Sequence, residues 1–295
     1  MSKKTANANG WSLELKSPSV AAVGYTKSLR ALLLSDLHWD NAHCDRETLR
    51  RDMQAAKDCG APIFLFGDTF CAMQGKWDRR KDERQLRPEH RGGNYFDKLV
   101  DTAAEWFAPF AENIALITKG NHETSIIQHH ETDLVQRLHQ ALRRVKGYRG
   151  QAGAYAGFVA LNANDGNRNR RTLTLYWHHG YGGGGEVTRG IIDNSRTRGQ
   201  VFADIYVSGH VHRRNMDENI VQHLDTHHGT IAHRRQLFLR CSTYKHEDGS
   251  MEGDISGWHV EKGRASRPIG GWWLDLNLRA NQGDYQVDFT ATPTA

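Results

Sequence analysis

The stretch ALLLSDLHWD, residues 31–40, decides how this chain is read. Its leucines read as a buried strand, yet the run ends in Asp36 and, two places on, His38. A hydrophobic strand that finishes in an acid and an imidazole calls for a comparison with the other strand ends. PIFLF (62–66) runs into FGD with Asp68, and IALIT (114–118) runs into KGNHE with Asn121 and His122. Further on, LYWHHG ends in His178 and His179, and YVSGHVH ends in His210 and His212. In α/β sheets, ligands bind beyond the carboxyl ends of the strands. In the Asp-x-His and His-x-His pairs, the spacing of two puts both side chains on one side of an extended segment.

Helical patterns lie between these strands. Leu49, Met53 and Ala56 mark one face. Phe96, Leu99, Val100, Ala103, Ala104 and Phe107 mark a second, stopped by Pro109. Leu134, Leu138 and Leu142 fall in a third helical region expected from about Thr124 to Val145. This βαβα order predicts an α/β layer structure. Later, AYAGFVALNAN, TLTLYWH, DIYVSGH, RQLFLRCS, WWLDLNLR and QVDF read as strands. In WWLDLNLR, Leu274, Leu276 and Leu278 alternate with Asp275, Asn277 and Arg279, so one face is buried and the other wet. With no internal repeat or long linker, the expected organisation is a partly loose segment over 1–28 and a single domain over 29–295.

The composition bounds the class. The 295 residues are 38% hydrophobic and 25% charged, which fits a globular protein with an ample core. No apolar run reaches the roughly 18 residues of a membrane helix. MSKKTANANGW carries lysines with no apolar stretch after them, so the expectation is a cytoplasmic protein. Four scattered cysteines without a CxxC pair suit reduced thiols. The net charge is +5, with basic runs at 76–91, 143–149 and 167–171 that suggest contact with a phosphate backbone. The first run mixes in Asp78, Asp82, Glu83 and Glu89, as an ordinary solvated loop does.

Histidine, carboxylate and amide donors together suit manganese, iron or zinc better than calcium or magnesium. A structural zinc takes four ligands, usually rich in cysteine. Here the donors outnumber what one such ion needs and include no cysteine. The surplus points to two ions bridged by a carboxylate.

The series DLH, GD, GNHE, HHG and GHVH, in that order over residues 36–212, resembles the calcineurin-like metallophosphoesterase superfamily. The resemblance implies a four-layer α/β/β/α sandwich of two mixed sheets flanked by helices, and a dinuclear hydrolase acting on phosphoric esters. It implies that Asp36, His38, Asp68 and His212 hold one metal. Asp68 would bridge to a second, held also by Asn121, His210 and either His179 or His178. His122 would bind no metal; it would steady the phosphate or protonate the leaving oxygen. The cofactors implied are two divalent ions, manganese first, with iron, zinc and magnesium as alternatives.

One departure stands out. Several branches of the superfamily have Asp or His at the third residue after the bridging aspartate, orienting the catalytic histidine; GDTFC places Cys71 there. A thiol is a poor acceptor and cannot stabilise an imidazolium as a carboxylate does, so what orients His122 is open. In HHGYGGGGEVTRG (178–190), Gly180 and Gly182 are candidates for phosphate approach ahead of a helix from about Val187, against the blander reading of a flexible loop. His129, His130, His139, His227, His228 and His233 read as solvated, and Trp258, Trp272 and Trp273 as core rather than stacking platforms. His246 and His259 fall in segments that can form a lip of the site.

Three functions follow. The first is a phosphodiesterase or nuclease acting on nucleic acid or a nucleotide. The second is a phosphomonoesterase, including a phosphoprotein phosphatase, although Ala72 stands where phosphoprotein phosphatases carry an arginine. The third is a non-catalytic module that binds nucleic acid or a partner. Oligomeric state is not legible at this level.

Overall fold

The computed structural model describes residues 10–72, 85–167, 169–182, 185, 188, 190–253, 255–256, 258–281 and 284–294. The first half runs β1 (Trp11–Ser17), β2 (Val20–Thr26), β3 (Ser28–Leu34), α1 (Arg46–Asp58), β4 (Ile63–Phe66), α2 (Tyr95–Phe107), β5 (Ile114–Thr118), α3 (Asn121–His130) and α4 (Leu134–Leu142). Then come β6 (Gln151–Ala152), β7 (Ala156–Asn164), β8 (Arg170–His178), α5 (Ile191–Gln200), β9 (Ile205–Ser208), β10 (Asn215–Asp225), β11 (Thr230–Arg240), α6 (Trp258–Glu261), β12 (Trp272–Asn281) and β13 (Asp284–Pro293).

Two mixed sheets form. One has the order β1-β2-β7-β8-β9-β11-β10 and the other β13-β12-β3-β4-β5-β6. The leucine run explains itself here. Ala31 and Leu33 enter the core between the sheets, while Leu32 and Leu34 enter the core under the helices. Phe64 and Phe66 of β4 face the first core, and Ile63 and Leu65 the second. A strand buried on both faces loses the polar alternation of a one-sided strand. Leu49 and Met53 of α1, Leu99 and Ala103 of α2, and Leu134 and Leu138 of α4 cover the outer face of this sheet. Over the other sheet, α5 lies against the small cluster of Ala203, Tyr206 and Phe238, with the Arg198 guanidinium 4.8 Å from the Phe238 ring. The result is the two-sheet, helix-flanked layering that the resemblance implies.

Three expectations change. Residues 11–26, expected as part of a partly loose segment, are strands of the larger sheet, β2 pairing with β7 from Val20↔Phe158 to Thr26↔Asn164; residues 1–9 lie outside the described residues. The helical region expected over 124–145 is two helices. Glu131 turns left-handed at φ 52, and Asp133 restarts the chain by accepting from the Gln136 amide at 3.0 Å. The helix expected from Val187 begins at Ile191, and Val187 lies outside the described residues. No described helix is long and apolar enough to cross a membrane.

Candidate metal centre

The carboxyl ends of β3, β4 and β5, parallel neighbours in one sheet, meet those of β8 and β9, parallel neighbours in the other. Asp36 and His38 follow β3, Asp68 follows β4 and Asn121 opens α3 after β5. His179 follows β8, and His210 and His212 follow β9. Asp36, His38, Asp68, His210 and His212 all take left-handed backbone, with φ of 53, 45, 48, 71 and 51°. Each such residue costs on the order of 1–3 kcal/mol unless its surroundings fix it. They are fixed: the Asp36 and His38 amides donate to the Gly67 and Asp68 carbonyls, both at 3.0 Å. Thr243 Oγ1 and the Tyr244 amide donate to the Asp36 carbonyl at 2.7 and 3.1 Å. Gly120 and Gly209 allow the approach, since a Cβ at either would collide with the Asp68 or Asp36 carboxylate.

Among the described residues the side chains form three donor groups, Asp36–His38–His212, Asp68–His179–His210 and, beside them, His38–Cys71–His122, each with its donor atoms within 4.8 Å of one another. In the first, His212 Nε2 lies 3.0 Å from His38 Nε2 and 3.3 Å from Asp36 Oδ1. In the second, His179 Nε2 lies 3.2 Å from Asp68 Oδ2, and Asn121 Oδ1 lies 3.1 Å from His179 Nε2 and 2.8 Å from His210 Nδ1. The triads adjoin, with His179 Nε2 3.9 Å from Asp36 Oδ1.

Each imidazole but one has its other nitrogen tied to an acceptor. His179 Nδ1 donates to the Phe66 carbonyl (3.0 Å), His210 Nε2 to the Gly182 carbonyl (2.9 Å) and His212 Nδ1 to Glu247 Oε1 (3.1 Å). A carbonyl can only accept, so His179 and His210 hold protons on those outer nitrogens, and the inner nitrogens are the ones that ligate once the rings are neutral. His38 Nδ1 is buried without a hydrogen-bond partner. Mixed imidazole, carboxylate and amide donors converging from rigid strand ends fit divalent metal binding.

His178 and His179 differ in position. His178 is turned toward Tyr181, ring centroids 5.6 Å apart, and its Nδ1 accepts from the Gly180 amide at 3.0 Å. His179 is fully buried in the cluster. Burial opposes a charged His179 ring, but the Asp68 and Asp36 carboxylates override it and raise its pKa to about 10. Burial likewise opposes charge on His212, and Glu247 with Asp36 carries it to about 10. His38, without a dominant acid, is held well below its ordinary value by burial and by the neighbouring His212 and His122.

His122 stands beside the triads, its Nε2 3.8 Å from Asp68 Oδ2. The residue at the orienting position does act on it, through its backbone: His122 Nδ1 donates to the Cys71 carbonyl at 2.5 Å. Asp40 in turn accepts from the Cys71 amide (2.5 Å), the Ala72 amide (2.9 Å) and the Tyr95 hydroxyl (3.1 Å). The Cys71 thiol accepts from Asn41 Nδ2 at 3.3 Å, and burial pushes its pKa up to about 12.

Three carboxylates that sequence reasoning passed over therefore support the site: Asp40, Glu247 and Glu123. Glu123, fully buried, accepts from the amides of Gly120 (2.8 Å), Asp68 (3.1 Å) and Phe70 (3.0 Å). Burial and the Asp68 charge raise its pKa to about 8 against those three donors. The last letter of GNHE was the available signal for Glu123. For Asp40 and Glu247 the site groups they hold, the Cys71 amide and His212, lie far off in the chain, beyond any local pattern.

The Gly180 amide donates to His178 Nδ1, and the Gly180 and Gly182 carbonyls accept from Tyr155 and His210. His259 sits behind the site, its Nε2 2.8 Å from Glu247 Oε2, and His246 lies 3.5 Å from Asp45 Oδ2. Trp272 is buried, and the Trp258 side chain lies outside the described residues. Two basic runs lie away from the rim. Residues 143–149 pack beside Glu112 at the amino end of β5, and residues 169–171 sit at the start of β8, roughly 27 Å of strand from His178. In the third run, residues 76–84 lie outside the described residues.

No protein-family model matches the chain, and no curated protein matches it. Among solved structures it is similar to vacuolar protein sorting 29 from Cryptosporidium parvum, at 13% identity and a TM-score of 0.36 over 90% of this chain and 99% of that one. It is similar also to a metallophosphoesterase from Sphaerobacter thermophilus, at 12% identity and a TM-score of 0.32 over 90% of each chain. Likenesses this distant carry no weight for activity or substrate.

Proposed function

We propose that this chain is a metal-dependent phosphoesterase whose first substrate class is phosphodiesters, nucleic acid or a nucleotide included. The single observation that carries the reading is the pair of adjoining donor triads at the converging strand ends. In this reading Asp36, His38, Asp68 and His212 would hold one divalent ion, and Asp68, Asn121, His179 and His210 a second, supported by the two triads and the Asn121 contacts. Such ions supply Lewis acidity toward phosphoryl oxygens and an activated water. The chain's own part is to hold bare nitrogens and carboxylates inward on fixed backbone. His122, anchored through Nδ1 on the Cys71 carbonyl, keeps Nε2 toward the site. When doubly protonated it gives the Nε2 proton to the departing oxygen or steadies the phosphoryl group.

A phosphomonoesterase is the second reading. It is favoured by the distance of the basic runs at 143–149 and 169–171 from the rim, which removes them as contacts along a bound polynucleotide. Hydrolysis of bis-p-nitrophenyl phosphate against p-nitrophenyl phosphate with added manganese separates the two, beside Asp68→Asn as control. Diester preference supports the first reading and monoester preference the second. Undiminished turnover by Asp68→Asn would remove both.

A further inference from the structure

The β10–β11 hairpin is an arm whose outer edge pairs with no strand among the described residues. β10 ends its sheet, and its eleven residues pair with β11 from Asn215↔Arg240 to Asp225↔Thr230 without a bulge. Only Leu237–Arg240 of β11 also pair with β9, so Thr230–Gln236 have β10 as their sole strand neighbour among the described residues. One face of the arm carries Met216, Ile220, Leu224 and Ile231, exposed by 51, 60, 65 and 70%. Soluble proteins blunt such edges with lysine, proline or bulges. NMDENIVQHLD has no lysine, arginine or proline.

We propose that this edge pairs with the same edge of a second copy of the chain, antiparallel about a twofold at Ile220. The sequence is self-complementary in that register, where opposed residues lie on one face. Met216 meets Leu224, Asp217 meets His223, Glu218 meets Gln222, and Ile220 meets itself. No like charges oppose one another, and the two apolar ends cover each other. A C2 contact of this kind is isologous and closes on itself. An edge strand of unrelated sequence would gain the backbone hydrogen bonds but not this side-chain match, which is why the occupant is a second copy.

The test is sedimentation of the full chain over a dilution series. Wild type is expected to reach twice the 33.4 kDa of one chain at the concentrated end. Ile220→Lys sets two ammonium groups against each other on the axis and should remain monomeric throughout. Gln222 already faces His233 within its own hairpin at 3.2 Å, so Gln222→Glu leaves the arm intact while opposing Glu218 of the other copy, and weakens association. Gln222→Lys meets that same glutamate favourably and strengthens it. Ile220→Cys in a Cys59→Ser background should cross-link chain to chain on mild oxidation. A wild type that stays monomeric at every concentration overturns the proposal, as does a dimer indifferent to both Gln222 substitutions.

Discussion

At the scale of single residues, the site depends on carboxylates that hold other groups in place. Glu247 fixes the proton of His212 on Nδ1, so that Nε2 faces Asp36 and His38. Outer partners of ligating histidines are worth roughly 10–100-fold in metal affinity. Glu247→Gln should weaken manganese binding within that range by calorimetry, with the far-ultraviolet spectrum unchanged; unaltered affinity would make the contact incidental. The raised His179 and His212 give a pH dependence with a definite sign. Their ion pairs stabilise the metal-free fold fully below the ordinary value of 6.5, and that stability is lost as pH rises through about 10. Metal needs the neutral rings, so affinity should climb with pH over the same window. Binding at neutral pH should release protons, read by calorimetry in buffers of different ionisation enthalpy; a buffer-independent heat would contradict the assignment. The thiols sort by burial: Cys59 is exposed, while Cys44, Cys71 and Cys241 are buried, with Cys44 and Cys71 pushed up to about 12 and Cys241 raised further. Iodoacetamide on the native chain should therefore label Cys59 alone, as peptide mass analysis would show.

At the scale of elements, the strands that build the site were legible because they are buried on both faces. IFLF admits no polar residue and IALIT only its terminal Thr118, and acid, amide and imidazole enter just beyond their ends. β1 and β10 were not legible for the opposite reason. WSLELKS and NMDENIVQHLD are polar or half-exposed along their length, with edge positions that ask little of the side chains. The break between α3 and α4 was hidden by apolar spacing that runs on through a left-handed Glu131. Tight passage between elements is where backbone substitution should tell. Gly209→Ala puts a methyl group into the Ser35 hydroxyl and the Asp36 carboxylate. Overpacking of this kind costs about 1–3 kcal/mol, read by urea unfolding, and should displace Asp36 and cut metal affinity as well. A variant as stable and as avid as wild type would show that the turn has room to yield.

At the scale of the whole molecule, two sheets turn the carboxyl ends of their parallel strands toward one point, and no single element carries the site. This is why motif order alone outlined the donor set from Asp36 to His212, and why the roles of Asp40 and Glu247 were out of reach. Those depend on amides and rings brought together from opposite ends of the chain, such as Asp36 with Thr243 and Tyr244. In the proposed function the converged ends hold two ions and Asp68 serves both. Equilibrium dialysis against manganese, followed by elemental analysis of the protein, tests it most directly. Two ions per wild-type chain and at most one per Asp68→Asn chain are predicted. One ion or none in the wild type, or two retained by Asp68→Asn, would contradict it.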